Sequence, residues 1–199
     1  MIELLTADTP NGKKISIMLE EIKFDYKVTK INISKDEQFK PEFKKLSPFG
    51  KIPVIIDHEK KISLFESGAI LIYLGEKSGK FYLKNQRTVI NQWLMGQMAY
   101  VGPMLGQHHQ FHHYNPGKSE FGEKRYFKIS ERIYKELDER LSESKFLAGE
   151  DYTIADIATF PWIARHEWHD IGLKKFKSLT RWYEEISSRE AVQKGYDLL

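Results

Sequence analysis

Two stretches of this sequence hold residues whose types and spacing could do chemistry. Residues 49–77 read FGKIPVIIDHEKKISLFESGAILIYLGEK. Ser67 stands just before Ala69, Ile70, Ile72, Tyr73 and Leu74, which fall at helical spacing. A serine there reads as an N-cap, its hydroxyl taking one of the N–H groups that a first turn leaves without a partner. The remaining N–H groups and the partial positive charge of a helix start make a seat for a carboxylate. Pro53 opens the apolar run before it; having no N–H, it belongs at a strand start or edge. That leaves the backbone of Ile52 available to something outside the protein. An edge of unpaired backbone beside an anion-binding helix start suits a small peptide with a free carboxylate. The second stretch is GQHHQFHHYNP, residues 106–116. His108 and His112 lie four apart, as do His109 and His113, so a helix would set each pair on one face, a spacing used by metal ligands. A metal site also wants a third ligand and an outer shell of support. No metal is expected here; lining of a substrate pocket, with Tyr100, Gln107 and Trp162, is the favoured reading. Tyr100 and Trp162 also read as core packing.

Composition narrows the chemistry. The 199 residues include no cysteine, which excludes disulfides, thiolate metal sites and a protein-borne thiol nucleophile. Any thiol chemistry must draw its sulfur from a ligand. Lys+Arg number 31 against 28 Asp+Glu, a net charge of +3 spread along the chain, so no nucleic-acid partner is expected. The run from Lys174 to Lys177 is broken by Phe176 and reads as a solvated helix edge. No apolar run approaches the roughly 18 residues of a membrane span, and no signal peptide precedes residues 2–5. A soluble, cytoplasmic protein without a membrane partner is expected.

Around these stretches the elements fall in order. Residues 2–6 predict a buried strand, residues 7–12 (ADTPNG) a turn, and a helix follows from Lys13 with Ile15, Ile17, Met18, Leu19 and Ile22 on its apolar face. Residues 24–33 predict a second strand, and residues 34–43 a short helix with loops. Residues 52–56 and 62–65 predict a hairpin packed inward about a charged turn at 57–61. The order β-α-β-α-β-β-α over residues 1–80 resembles a thioredoxin-like domain. After a polar linker at 80–88, residues 88–199 read as all helical. A helix spans 89–104, which Pro103 is expected to kink or end unless neighbours compensate, and residues 106–116 continue it or form a loop. A long amphipathic helix covers 119–141. Thr153 and Asp156 form a capping box for an apolar helix carrying Pro161, and two short helices finish the chain near 179–187 and 191–198.

Lys51-Ile52-Pro53-Val54, Glu66-Ser67-Gly68-Ala69-Ile70 and Tyr152-Thr153-Ile154-Ala155-Asp156 occur in this order within that layout. On them the chain resembles the cytosolic glutathione transferases over essentially its full length. Thr9-Pro10-Asn11-Gly12, Gln38-Phe39, Pro41-Glu42-Phe43 and residues 102–107 (GPMLGQ) resemble the bacterial nu-class group and its fungal nitrogen-regulator prion relatives. One departure is Phe49-Gly50, where polar residues of the Asn type are common. The resemblance implies a glutathione transferase fold, an α/β thioredoxin-like N-terminal domain plus an all-α C-terminal helical domain that holds a second-substrate pocket and dimer contacts.

The resemblance also implies glutathione as co-substrate, a small disulfide or electrophile as its partner, a homodimer, and glutathione-dependent disulfide reduction with weak conjugation. It implies that Ser67 meets the γ-glutamyl carboxylate and Glu66 the γ-glutamyl ammonium. Lys51, helped by Gln38, would pair with the glycyl carboxylate. Ile52, before a cis Pro53, would exchange backbone hydrogen bonds with the cysteinyl unit. Thr9 and Asn11 would neighbour the sulfur and favour its thiolate, and Arg125 would reach glutathione across the dimer. From the residues alone, Thr9–Gly12 also reads as an ordinary turn, Glu66-Ser67 as a capped helix with a solvated carboxylate, and Lys51 and Arg125 as solvated charges. Conventional transfer of glutathione to electrophiles, organic hydroperoxide reduction, and a non-catalytic glutathione-binding regulator are the alternative functions.

Overall fold

The first apolar run becomes β1 (Ile2–Thr6), and the chain then turns directly into α1 (Pro10–Ile22), β2 (Tyr26–Lys30), α2 (Pro41–Leu46), β3 (Val54–Asp57), β4 (Ile62–Phe65) and α3 (Ser67–Ser78). The computed structural model describes residues 1–199. Helices α4 (Arg87–Gly96), α5 (Gly102–His108), α6 (Glu120–Glu143), α7 (Ile154–Ile163), α8 (Lys177–Ser187) and α9 (Glu190–Asp197) follow. The chain divides into Met1–Tyr82 with Ser188–Leu199, and Leu83–Ser187. The sequence reading counts the last helix with residues 88–199; here α9 belongs to the first unit. Ser16 Oγ donates to the Gly195 carbonyl at 2.6 Å, and Arg189 makes a paired contact with Glu21 at 2.6 and 2.9 Å.

The first unit is a thioredoxin-like mixed sheet ordered β2-β1-β3-β4, with β1 and β2 parallel and the other pairs antiparallel. Leu5, Phe43 and Val54 form a core against which Ile31, Leu46, Ile52, Ile56 and Phe65 pack. The hairpin is present, with β3 packed inward as expected, but β4 does so only in part, through Phe65. β4 is the sheet edge, and its Ile62 and Ser63 are exposed. The turn is not simply solvated either, because Asp57 is fully buried. Its carboxylate accepts from the Glu59 and Lys60 amides, from Tyr73 Oη at 2.5 Å and from Lys77 Nζ at 2.7 Å. These bonds tie the end of β3 to α3 and hold the carboxyl well below its usual range despite burial.

Helix α1 starts earlier than expected, at Pro10, where a missing N–H and a fixed φ suit a first helical turn. The Asn11-Gly12 pair is therefore helical rather than a turn. A Cβ at Gly12 would lie 2.3 Å from Thr6 Oγ1 and 2.4 Å from the Ala7 carbonyl, so glycine alone lets α1 begin this close to β1.

The second unit is all helical. Pro103 neither ends nor breaks its first long helix. Residues Gln97–Val101 are π-helical, the Gly102 N–H reaches back to the Gln97 carbonyl, and α5 continues through Pro103 to a second π-helical segment, His109–Tyr114. The wider turn before the proline takes up the register that its missing donor would otherwise break. Ser119 caps α6, its Oγ accepting from the Gly122 N–H at 3.1 Å. No helix is long and apolar enough to cross a membrane.

Candidate active site

Strand register brings three distant pieces of the first unit to one end of the sheet. Leu5 pairs with Val54, and Val54 with Phe65. The residues just beyond these pairs, Thr6 after β1, Pro53 before β3 and Glu66 after β4, therefore stand in a row. The turn to α1 with Thr9 and Asn11, the Ile52-Pro53 step and the start of α3 all open there.

Ile52 and Pro53 are joined by a cis peptide bond. Ile52 lies outside the β3 pairing, and neither its N–H nor its C=O takes a partner among the backbone hydrogen bonds of the chain. Its side chain is held in the core. The strand is thus anchored by its side chain while its backbone can add one more partner.

Helix α3 starts differently from the serine cap expected. Ser67 is its first helical residue and Glu66 occupies the cap position, with φ 69 and ψ 113 and no side-chain cap. An L-residue in that region carries strain of about 1–3 kcal/mol. With no side chain capping this turn, the Gly68 and Ala69 N–H groups stay uncapped. Ser67 is only 5% exposed, and Lys14 Nζ donates to its Oγ across 3.4 Å. Lys14 is a residue that sequence reading passed over: it follows Lys13 on the polar start of α1, and only the packing shows it to be 1% exposed. Glu66 is exposed.

Thr9 is the N-cap of α1, its Oγ1 accepting from the Gly12 N–H at 3.1 Å. The oxygen is occupied, so the hydroxyl proton is the part of Thr9 left to donate. Asn11 is half-buried in the first turn. Lys51 is exposed; its backbone is clasped by Ser47 Oγ, which accepts from its N–H at 3.1 Å and donates to its C=O at 2.8 Å. Gln38 Nε2 donates to the Ile33 carbonyl, while its buried Oε1 has no partner. The neighbouring Gly50 has φ +60, a left-handed conformation that glycine and asparagine adopt most readily. A Cβ there would lie 2.7 Å from the Phe39 ring and 2.9 Å from the Gln38 carbonyl, which puts Gln38 beside the loop carrying Lys51.

The remaining candidates lie in the second unit. Arg125 is exposed on α6 and lines a groove of about 590 Å³ with Tyr100, Phe121, Lys124, Lys128 and Arg132. Gln107 is exposed, but Trp162 is buried and stacks on His109 with ring centres 5.8 Å apart, so its core reading holds. The His108 and His112 rings stack, whereas the His109 and His113 rings meet edge to face with centres 6.5 Å apart. His108 and His112 lie 4.8 Å apart and nearly parallel, and no group of three or more His, Cys, Asp or Glu side chains could hold a metal ion. His169, invisible to the spacing argument, stacks on His109 at 4.6 Å. Burial pushes His108 down to about 4 and His109 to about 3, so both rings are neutral at neutral pH.

Residues 3–76 match the family described as glutathione S-transferase, N-terminal domain, and residues 100–190 its C-terminal domain. The chain is 44% identical over 199 residues to the disulfide-bond oxidoreductase YfcG of Escherichia coli (strain K12), covering 96% of this chain and 93% of that protein. A glutathione transferase from Pseudomonas putida, solved with one glutathione disulfide bound per subunit, is 40% identical. It superposes with a TM-score of 0.91 over 99% of this chain and 91% of that one. A glutathione transferase from Burkholderia graminis, solved with two glutathione molecules bound per subunit, is 36% identical, with a TM-score of 0.93 over 98% of this chain and 87% of that one. With both family domains in order and these likenesses running almost end to end, the chain belongs to the glutathione S-transferase family.

Proposed function

We propose that this protein reduces small disulfides with glutathione, which supplies the sulfur that the chain lacks. The observation that carries the proposal is the unpartnered Ile52 backbone, flanked by two helix starts, in a chain without cysteine. The cysteinyl unit of glutathione adds to Ile52 as a short strand. Its γ-glutamyl carboxylate takes the Ser67 hydroxyl and the open N–H groups of α3, and its ammonium pairs with Glu66. The glycyl carboxylate lies toward Lys51 and Gln38. The sulfur lies by Thr9 and Asn11, where the Thr9 O–H, the Asn11 amide and the start of α1 favour the thiolate over the thiol.

The thiolate attacks one sulfur of a disulfide RSSR. A new S–S bond forms as the old one breaks, releasing RS⁻ and leaving a mixed disulfide GSSR. A second glutathione thiolate attacks GSSR at the glutathione sulfur, giving GSSG and a second RS⁻. Two glutathiones are oxidised by one electron each, the disulfide gains both electrons, and the RS⁻ groups take protons from water. The names of YfcG and of the structures holding two glutathiones or one glutathione disulfide support this reading. A cytoplasmic homodimer is part of the proposal, with Arg125 of each copy reaching a glutathione carboxylate held by the other.

The test is steady-state reduction of bis(2-hydroxyethyl) disulfide by glutathione, with conjugation to 1-chloro-2,4-dinitrobenzene run beside it. Fast reduction with weak conjugation is expected. Fast conjugation with negligible reduction would overturn the proposal in favour of a conventional transferase. Binding of glutathione with neither activity would favour a regulatory role.

A further inference from the structure

Lys13 sits in the first turn of α1, two residues after Asn11, and the proposed reaction gives it no part. Its side chain is buried, 6% exposed. A buried ammonium needs partners for its charge and its donors. Lys13 has them on two sides. Its Nζ lies 3.1 Å from the carboxylate of Asp8, in the turn between β1 and α1, and donates to the Tyr196 carbonyl in the last turn of α9. The Tyr196 ring centre stands 4.2 Å from the same nitrogen, a cation–π distance.

This contact ends a row of them along the seam between α1 and α9. At the far end Arg189 holds Glu21 and Lys194 holds Glu20. In the middle Ser16 Oγ donates to the Gly195 carbonyl, and a Cβ at Gly195 would lie 2.6 Å from Ile17 Cα. At the near end Leu199 reaches the first turn of α1, 3.3 Å from where a Cβ on Gly12 would stand. A helix leaves its last four carbonyls without partners of its own. In α9 the carbonyls of Gly195 and Tyr196 are taken by Ser16 and Lys13, so α9 ends on α1. Lys13 carries the hold one step further, to an Asp8 side chain that is 58% exposed and belongs to the residue just before Thr9.

We propose that Lys13 is a positioning residue for the glutathione sulfur: it clamps Asp8 to the end of α9 and so fixes the turn that presents the Thr9 hydroxyl and the Asn11 amide. The inference rests on the reading that places the sulfur by these two residues. Thr9 Oγ1 is held by the Gly12 N–H, so the direction left to its proton follows the backbone of residues 7–9. A donor misplaced by about 1 Å costs up to about a hundredfold in rate. Lys13 acts through position because Asp8 offsets its charge; the pair presents little net field to the sulfur.

The readouts are the pKa of the thiol of bound glutathione, followed by the ultraviolet absorbance of its thiolate, and kcat and KM for disulfide reduction. In the wild-type protein the bound thiol should titrate below its free value of about 8.5. Lys13→Met should raise that pKa and lower kcat about tenfold, with KM for glutathione changed less than about twofold. Lys13→Arg, which can reach both partners, should restore both. Asp8→Ala alters an exposed side chain and decides the matter even if Lys13→Met does not fold. By charge alone, losing the cation raises the thiol pKa and losing the anion lowers it. Through position both losses raise it and slow turnover, and the double variant should be no slower than Lys13→Met alone. Three results overturn the role of Lys13 and leave the sulfur site standing. One is a lower Tm in Lys13→Met with pKa and kcat as in the wild type. Another is an Asp8→Ala pKa that is unchanged or lowered, with kcat retained; the third is additive losses in the double variant. A wild-type bound thiol that titrates as free glutathione does overturns the sulfur site itself, and the Lys13 inference with it.

Discussion

Two helix starts in this molecule, α3 and α7, carry similar local signals and end up opposite in character. Both have a hydroxyl residue and an acidic one within the first turn, ahead of an apolar run. At α7 the signals close on each other. Thr153 Oγ1 accepts from the Ala155 N–H, and Asp156 Oδ2 accepts from the Thr153 N–H at 3.0 Å. Asp156 Oδ1 accepts at 2.9 Å from both the Leu147 N–H and Trp182 Nε1. Nothing there is left for a ligand. At α3 the acidic residue precedes the serine and sits in a strained left-handed conformation. No side chain caps the turn, and the serine turns its oxygen to a buried lysine. One start is satisfied by its own sequence neighbours and stabilises the fold. The other is held open and suits a bound anion. A capped helix reports stability; an uncapped one with strain at its cap is the better pointer to function.

The contrast can be broken most forcefully at α7. Asp156→Ala leaves buried donors without an acceptor, and is expected to lower stability by about 3 kcal/mol or more, a fall in Tm of about 10 °C. Glutathione affinity of the protein that remains folded should not change. Thermal unfolding followed by circular dichroism, with glutathione titration below the transition, checks both halves. Ser67→Ala should do the reverse: glutathione affinity falls by about tenfold or more, with Tm lowered by less than about 4 °C. Unchanged affinity would remove Ser67 from the site.

Helix α1 stands between these cases, being capped by Thr9 yet opening at the same end of the sheet. Thr9→Ala should destabilise by about 1 kcal/mol through the lost cap and slow disulfide reduction, whereas Thr9→Ser should restore both. Asn11→Ala should lower turnover more than glutathione affinity, and an unchanged rate would take Asn11 out of the mechanism. The smallest effect is expected at the strained cap itself. Glu66→Gly relieves the positive φ and should raise stability by about 1 kcal/mol, while glutathione binding weakens. A loss of stability would mean that Glu66 is not strained at this position.

What could be read from the sequence was mostly local. The capping box of α7 involves four consecutive residues and forms wherever that turn forms. The apolar run of β3, the inability of Pro53 to donate and the i, i+4 placement of the histidines likewise depend on neighbours in the chain. The absence of cysteine is a fact of composition alone and already limits where a reactive sulfur can come from. The family resemblance added named roles for residues, such as Lys51 and Arg125, whose own signals are ordinary surface charges.

Tertiary structure decided the rest, because each remaining feature compares groups far apart in sequence. Strand register put Thr6, Pro53 and Glu66 in one row. The four-fold grip on Asp57 ties the end of β3 to Tyr73 and Lys77 of α3, and the strand order places β4 at an edge with Ile62 and Ser63 exposed. Docking of α9 belongs with α1, although 168 residues separate Glu21 from Arg189. A π-helical turn carried the helix through Pro103 because its packing compensates for a donor that local rules treat as lost. Whether Lys14 would be solvated or buried against Ser67 could not be read from Lys13-Lys14, two adjacent and identical side chains. The difference arises only once α3 packs over one of them and leaves the other to reach the C-terminal helix.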